Sequence, residues 1–503
     1  VIPDNKLIDT LLQLKRLRDI KCDVPGFKGI LEPHQRVGVA FLILAKRAMC
    51  LDFVGAGKTV EVIACDLKLR DKGHVRRTLI ACLGSTRHHW AKLYKQFSDI
   101  PTYVIEGDKK TRINNWLGAQ GDTAATIANY ESIRADLPSL IRNGVRLNWD
   151  MIVWDEATVF KSEGTVLAES LRMLLDHVSP EYVFGLTATP IQKRLEDLFC
   201  VMEKIRPGLL GSDFYEFQDR YVIRRQFKTK SARGRMMSFW KTIGYMNEGE
   251  VGSTIQPYFI RRTKDEVYEG RTKRLIQERE VDLSDKQRVM YDEVRQQVKQ
   301  GTKSAFTGFL DLEKISDTLQ WYDKTSDVSA KIDDLMFLLE NDLVDEKVVV
   351  FSKHKQPLYH LMGRLNKAGI KSIEFTGDVS SKDGQREANR IRFQEDDSVR
   401  VALVTSAAEM GVEFHSARYM IFLNIIVNHA RIEQIMGRID RPIVQRSPFV
   451  CYIFYIARHT HEERMHKLMK EESELSDKIF GKGDEVTRLG EAELRKLILG
   501  TDD

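Results

Sequence analysis

The chain has 503 residues, 42% hydrophobic, 9% aromatic and 30% charged, which is long enough for two or three packed domains and excludes a mainly disordered or fibrous protein. Its 78 Lys+Arg against 73 Asp+Glu leave a formal charge of +5, too small to hold nucleic acid by bulk charge, so such binding must come from local patches. Apolar runs such as Phe41 to Ala45 fall far short of the ~20 residues a membrane helix needs.

In chain order, residues 1–27 are short, charged and expected to be helical, with no uninterrupted apolar stretch of a secretory kind. This predicts an intracellular protein, cytoplasmic or nucleoid-associated, or nuclear in a eukaryote, with no membrane partner. Residues 28–207 form a first α/β lobe. Its strands are expected at Thr78 to Leu83, Ala125 to Ala128, Met151 to Trp154 and Val183 to Leu186, with a helix over Val60 to Leu69. Residues 208–325 show no comparable strand series and read as a mostly helical insertion and linker. A helix beginning near Ser326 to Lys331, with apolar positions Ile332, Leu335, Met336, Leu338 and Leu339, opens a second lobe over 326–480. Its strands are expected at Lys347 to Phe351, Val401 to Thr405, Tyr419 to Asn424 and Phe449 to Phe454, and 481–503 is a tail. Strands alternating with helices predict parallel sheets flanked by helices. Cys22, Cys50, Cys65, Cys82, Cys200 and Cys451 are scattered without metal spacing and read as reduced thiols.

The strongest local signal is Asp52-Phe-Val-Gly-Ala-Gly-Lys-Thr59, between an apolar stretch and a helix. Gly55 and Gly57 let the backbone curl its N–H groups toward a phosphate, Lys58 suits the β- and γ-phosphates of a nucleotide, and Thr59 suits magnesium. A bare glycine turn is the alternative. After the strand ending at Trp154 come Asp155 and Glu156: a carboxylate there holds magnesium, and a second beside it orients the attacking water. Thr187 and Thr189, in Gly185-Leu-Thr-Ala-Thr-Pro190, supply hydroxyls that could sense a γ-phosphate or cap the next helix. Together these segments specify a nucleotide hydrolase using Mg2+.

With these motifs the chain resembles the superfamily 2 helicase-type ATPases, and within them the Swi/Snf-like DNA translocases. Leu31-Glu-Pro-His-Gln-Arg-Val-Gly resembles the family's opening motif, whose glutamine, Gln35, reads adenine. Trp90, Asn129-Tyr-Glu131, Ile260-Arg-Arg-Thr-Lys264, Leu283 to Tyr291, Lys331, Phe375-Thr-Gly377, Thr405-Ser406 with Gly411, and Gln434-Ile-Met-Gly-Arg-Ile-Asp-Arg441 continue it. The resemblance implies two RecA-like lobes with ATP hydrolysed in the cleft between them, Arg438 and Arg441 reaching the nucleotide, Gln434 with Thr187 and Thr189 in coupling, Gly411 at the nucleotide, and Asn129, Thr376 and Thr405 at nucleic acid. Ion pairing of the two arginines with Asp440 or Glu433 is the bland alternative. Phe53, Val54, Thr158, Ala407 to Gly411 and Asn424 to Asn428 depart from the family pattern and mark a divergent, compact branch.

Residues 224–241 carry Arg224, Arg225, Lys228, Lys230, Arg233, Arg235 and Lys241 and no acid, interleaved with Phe227, Phe239 and Trp240. That composition suits sequence-independent contact with a phosphate backbone, or a solvated loop. Arg261, Arg262 and Lys264 could instead pin the insertion to the first lobe. The expected partner is double-stranded DNA, with the protein acting as a monomer and a protein partner supplying targeting. A strand-separating DNA or RNA helicase, for which no wedge is evident, and a nucleotide-gated scaffold stay open.

Overall fold

A computed structural model describes residues 5–121, 123–160, 164–188, 194–230, 236–268, 272–377, 385–405, 412–426, 429–440, 447–467, 470, 479 and 486–488. The chain divides into two compact units, Val1–Val267 with Glu474–Gly483 and Tyr268–Ser473 with Asp484–Asp503. No helix among the described residues is long and apolar enough to cross a membrane.

The first unit is built on strands β1 (Arg47–Cys50), β2 (Thr78–Cys82), β3 (Thr102–Val104), β4 (Ala125–Asn129), β5 (Met151–Asp155) and β6 (Tyr182–Leu186). A hairpin of β7 (Val222–Lys230) and β8 (Met236–Tyr245) follows, then the two-residue β9 (Phe259–Ile260). The main sheet runs β3-β4-β2-β5-β6-β1-β9, and its pairings are parallel. Parallel strands covered on both faces read as unbroken apolar runs, and β5 shows why. Ile152 and Trp154 enter the core on one face of the sheet while Met151 and Val153 enter the core on the other, as the two-residue alternation of a strand requires.

The second unit holds β10 (Lys273–Val281), β11 (Val348–Phe351), β12 (Lys371–Phe375), β13 (Val399–Val404), β14 (Tyr419–Phe422), β15 (Phe449–Ala457) and β16 (Val486–Arg488). Its sheet order is β12-β13-β11-β14-β15-β10-β16, again all parallel. Val349 and Phe351 face one core, Val348 and Val350 the other. The helix Ala330–Asn341 is capped by Ser329 Oγ on the Ile332 N–H, and the five apolar positions expected to pack, Ile332, Leu335, Met336, Leu338 and Leu339, are all buried.

Every strand expected in the two lobes is present within three residues of its ends. The segment 208–325 differs in detail: beside its helices it carries β7 through β10, and the division between units falls inside it. Its strands escape a reading by apolar runs because β7 is rich in Arg, Lys and Thr, β8 mixes Met, Phe, Trp and Ile with Ser, Lys, Thr and Gly without a clean alternation, and β10 alternates charge with Leu275 and Ile276. β10 is nonetheless a full member of the second sheet, parallel to β15 over nine residues from Lys273↔Phe449 to Val281↔Ala457.

Candidate nucleotide site

β1, β6 and β5 are consecutive neighbours in the first sheet. Since they run parallel, the loops after them open on one edge, where α/β sheets bind ligands. The loop from Leu51 to Gly57 follows β1 and leads into the helix Lys58–Asp71. Gly55 and Gly57 take φ of 92° and 85°, a region that costs an L-residue about 1–2 kcal/mol. Gly57 is the helix N-cap, and no side chain caps it. A Cβ at Gly57 would lie 2.2 Å from the Gln35 amide nitrogen, so the second glycine is required by space as well as by torsion.

The preceding helix, Pro33–Ala45, begins with a capping box in which the Glu32 N–H donates to Gln35 Oε1 at 2.9 Å. The other end of the same amide donates to the Ala56 carbonyl at 3.2 Å, joined there by His34 Nε2 at 2.9 Å. Gln35, expected from resemblance to read adenine, is thus tied at both ends to the frame of the loop. Lys58 Nζ donates to the carbonyls of Asp52 and Phe53 at 2.7 and 3.1 Å. The positive-φ glycines, the helix start without a side-chain cap and an ammonium folded over the loop fit a nucleotide phosphate.

Asp155 ends β5, and its Oδ2 accepts from Trp90 Nε1 at 2.8 Å. Tyr130 Oη donates to its backbone carbonyl at 2.7 Å. Burial raises the Asp155 carboxyl above its ordinary range, while the Trp90 hydrogen bond and the Lys58 charge oppose that rise. The phosphate loop after β1 and Asp155 at the end of β5 lie on the same edge of the sheet, with β6 between the two strands. Asp155 therefore suits a divalent cation shared with Thr59, whose positive charge would restore the ionised form. Glu156, next in the chain, has φ of 52°, a left-handed backbone that a non-glycine residue adopts at a cost and that recurs at functional sites. Thr187 follows β6, is buried, and donates its N–H to the Cys50 carbonyl at 3.2 Å. Thr189 lies outside the described residues.

The loop is anchored by a residue far along the chain. Arg262, beside β9, donates its N–H and its Nε to Asp52 Oδ1 at 2.8 and 3.1 Å, and Nε also reaches Oδ2 at 2.9 Å. Its Nη2 reaches Asp52 Oδ2 and also Glu61 Oε1, the latter at 2.9 Å, and its Nη1 reaches the His34 carbonyl. The pinning of this element to the first lobe, raised from the sequence, is carried by Arg262. Cys50, Asp52 and Glu61 come within metal-binding distance of one another, but the Arg262 guanidinium supplies the cation there. Burial pushes Glu61 up to about 8, with the negative charge of Asp52 adding to the rise and Arg262 opposing it.

In the second unit, Gln434 lies in the helix His429–Met436 and Arg438 in the turn after it. Glu433 and Asp440, the acids weighed as partners for the arginines of that box, accept from Arg274 of β10 at 2.9 and 2.6 Å. Thr376 and Thr405 follow the neighbouring strands β12 and β13, and the Thr405 N–H donates to the Phe375 carbonyl at 3.2 Å. Both are buried. Gly411 and Arg441 fall outside the described residues. Asn129 caps the helix Tyr130–Arg142 by accepting from the Ser132 N–H at 3.2 Å. In the hairpin, Arg225 and Lys228 are exposed, while Arg224 donates to Gln218 and Asp219 at 2.7 and 2.6 Å. Lys230 closes β7, its side chain lying outside the described set, as do Arg233 and Arg235 altogether.

The family profile of the SNF2-related domain matches residues 34–333, and that of the helicase conserved C-terminal domain matches 330–442. The chain belongs to the SNF2-related family. As such it is the helicase/translocase core of a superfamily 2, Swi/Snf-like ATPase, a nucleic-acid-dependent enzyme that uses ATP. Among its relatives, the uncharacterized ATP-dependent helicase YqhH of Bacillus subtilis is 24% identical, over 92% of this chain and 81% of that one. The putative ATP-dependent helicase/translocase YwqA of the same organism is also 24% identical, over 94% of this chain and 51% of its own. The SWI/SNF-related matrix-associated actin-dependent regulator of chromatin subfamily A-like protein 1 of Xenopus tropicalis is 24% identical, over 88% of this chain and 44% of its own. The chain thus spans about half the length of the latter two relatives. A solved structure of the Sulfolobus solfataricus SWI2/SNF2 ATPase core in complex with dsDNA is 20% identical, with a TM-score of 0.45, over 92% of this chain and 95% of that one.

Within this SNF2-related core, Trp90 as the orienter of Asp155, and Glu61 as a second acid under Arg262, were not assigned roles from sequence. Trp90 stood only as a point of resemblance. Glu61 had no local signal: it is a first-turn helix acid whose neighbour, Gly38, lies where a Cβ would meet its carboxylate at 2.3 Å.

Proposed function

We propose that this SNF2-related core translocates on double-stranded DNA, using ATP hydrolysis to remodel DNA or protein–DNA complexes without base-specific recognition. The observation that carries the reading is the placement of the Lys58 loop and Asp155 on one sheet edge, in a chain whose SNF2-related match runs through both segments and the Arg262 element. In this reading Lys58, with Gly55 and Gly57, cradles the phosphates, and Thr59 and Asp155 hold Mg2+, which neutralises charge on the transferred phosphoryl group. Glu156 orients the attacking water. Arg438 and Arg441 act as the catalytic arginines, a role worth about three to five orders of magnitude in rate where arginine fingers have been measured. Arg225 and Lys228 engage the phosphate backbone, as do the other basic residues of that segment, each adding salt-dependent affinity. Displacement of a third strand from a triplex tests the reading: the full chain with ATP and Mg2+ should release the strand, and Glu156→Gln should not. Release that is equally fast without ATP, or none despite active hydrolysis, would contradict translocation.

A further inference from the structure

The β7–β8 hairpin forms a two-stranded sheet of its own, separate from both seven-stranded sheets. An isolated hairpin is marginal in water unless something packs on it. Here several large apolar side chains instead stand in solvent, among them Trp240 at 63% and Met236 at 61% exposure. An exposed indole at that level is an outlier among large side chains, which are usually well buried.

The register shows how Trp240 is presented. Gln226 pairs with Trp240, Arg224 with Thr242 and Lys228 with Ser238, so Arg224, Gln226, Lys228 and Trp240 share one face of the hairpin. Trp240 lies between a cation toward the base of the hairpin and one toward its tip. Arg224 is fixed: its guanidinium is held by Gln218 and Asp219, and its central carbon lies 5.9 Å from the Trp240 ring centroid, within the range of a cation–π contact. The ring is steadied from one side and open on the other. Exposed Arg225 and Lys228, with no acid from Arg224 to Lys241, make the surroundings complementary to a polyanion.

A flat aromatic face beside cations suits an unpaired nucleobase, because stacking uses the ring and the cations meet the backbone. A fully paired duplex offers no free base face to such a ring. We propose that Trp240, positioned by Arg224, is a base-stacking platform through which this protein engages the junction between duplex and unpaired DNA. This rests on the reading that the chain acts on DNA. It also supplies an element of the kind a strand-separating or strand-annealing motor needs at a fork.

The test is fluorescence anisotropy of the full chain with two labelled DNAs of equal length, a blunt duplex and a fork with two unpaired arms. Wild type should prefer the fork. Trp240→Ala should weaken fork binding about tenfold, the size of one lost base–aromatic stack, and leave blunt-duplex binding within about twofold. Trp240→Phe should keep most of the fork affinity, and Arg224→Ala should lower fork binding more than blunt-duplex binding. Arg225→Ala with Lys228→Ala should weaken both DNAs and flatten the salt dependence of each. Far-UV circular dichroism checks that the variants are folded. Equal weakening of both DNAs by Trp240→Ala, or no weakening of the fork, would overturn the proposal, and the second result would leave a protein partner as the occupant. Tight wild-type binding to blunt duplex with no gain at a fork overturns this proposal alone. Binding to neither DNA overturns it together with the reading on which it rests.

Discussion

The guanidinium of Arg262 is bound to the carboxylate of Asp52, 210 residues earlier in the chain. Asp52 opens the phosphate loop, and Arg262 lies five residues before the boundary at Val267 where the first unit hands the chain to the second. The same guanidinium holds Glu61, in the first turn of the helix that follows the loop. One residue therefore fixes both ends of the phosphate-binding turn.

Arg262→Ala should leave two buried carboxylates facing each other without a cation. Loss of one partner of a buried ion pair costs about 3–5 kcal/mol, so the thermal unfolding midpoint should drop sharply. Arg262→Lys keeps the charge but cannot fork between Asp52 and Glu61. It should fold, and its KM for ATP should rise about tenfold, a shift of about 1.4 kcal/mol. An unchanged KM in a folded Arg262→Lys would show that the stitch does not shape the loop.

Trp90→Phe keeps a buried ring and removes the N–H that holds Asp155. A hydrogen bond to a charged group is worth about 1.5–3 kcal/mol, so kcat should fall at least about tenfold. KM for ATP should change little, because the phosphate loop is untouched. Recovery of kcat at raised Mg2+ would support an action through the metal, whereas a rise in KM alone would point to a packing role.

Gly57→Ala meets two obstacles, the positive φ and the Gln35 amide nitrogen. Nucleotide binding should be lost or weakened by more than about tenfold, given about 1–2 kcal/mol for the torsion alone. Adding Gln35→Ala removes the clash and not the torsion, so, measured against Gln35→Ala alone, the double variant should recover part of what Gly57→Ala loses. A fluorescent ATP analogue reads both, and full recovery would mean that the torsion carries no cost here.

The second unit contains a buried polar network with a predictable pH dependence. Lys331 Nζ donates to Glu462 at 2.5 Å and to the Leu423 carbonyl at 2.7 Å, leaving Asp317 at 3.6 Å. Burial raises Asp317 to about 7, with Lys331 opposing the rise. The folded state therefore keeps a proton that the unfolded chain has released above its ordinary 3.8. The stability linked to this proton is complete below that value and is lost as pH rises toward 7, with a limiting slope of about 1.4 kcal/mol per pH unit. Asp317→Asn, a fixed neutral group, should unfold at progressively higher temperature than wild type between pH 5 and pH 8. A difference in midpoint that does not change with pH would contradict the assignment.

Much of this architecture is legible in the sequence because parallel strands buried on both faces must be apolar throughout, as Val348 to Phe351 and Met151 to Trp154 are. The phosphate loop is legible for a different reason: its glycines and lysine are required by backbone torsion and charge within eight consecutive residues. β7 and β8 carry no legible strand signal because β7 is dominated by Arg and Lys and β8 mixes apolar and polar residues without a period of two, so no one-sided burial pattern marks them. The Arg262 to Asp52 stitch was half visible, as a basic element able to pin the insertion to the first lobe. Its partner could not be read, since pairing across 210 residues leaves no periodic trace. Trp90 carried no local sign of its hydrogen bond to Asp155, which only the adjacency of β2 and β5 brings within reach.

Translocation on duplex DNA is tested by steady-state ATP hydrolysis of the full chain, measured without nucleic acid and with blunt duplex DNA, single-stranded DNA or RNA. Duplex DNA should stimulate turnover strongly, and Glu156→Gln should abolish it. Turnover that is the same with and without duplex, or that rises only with single strands or RNA, would contradict translocation on duplex DNA.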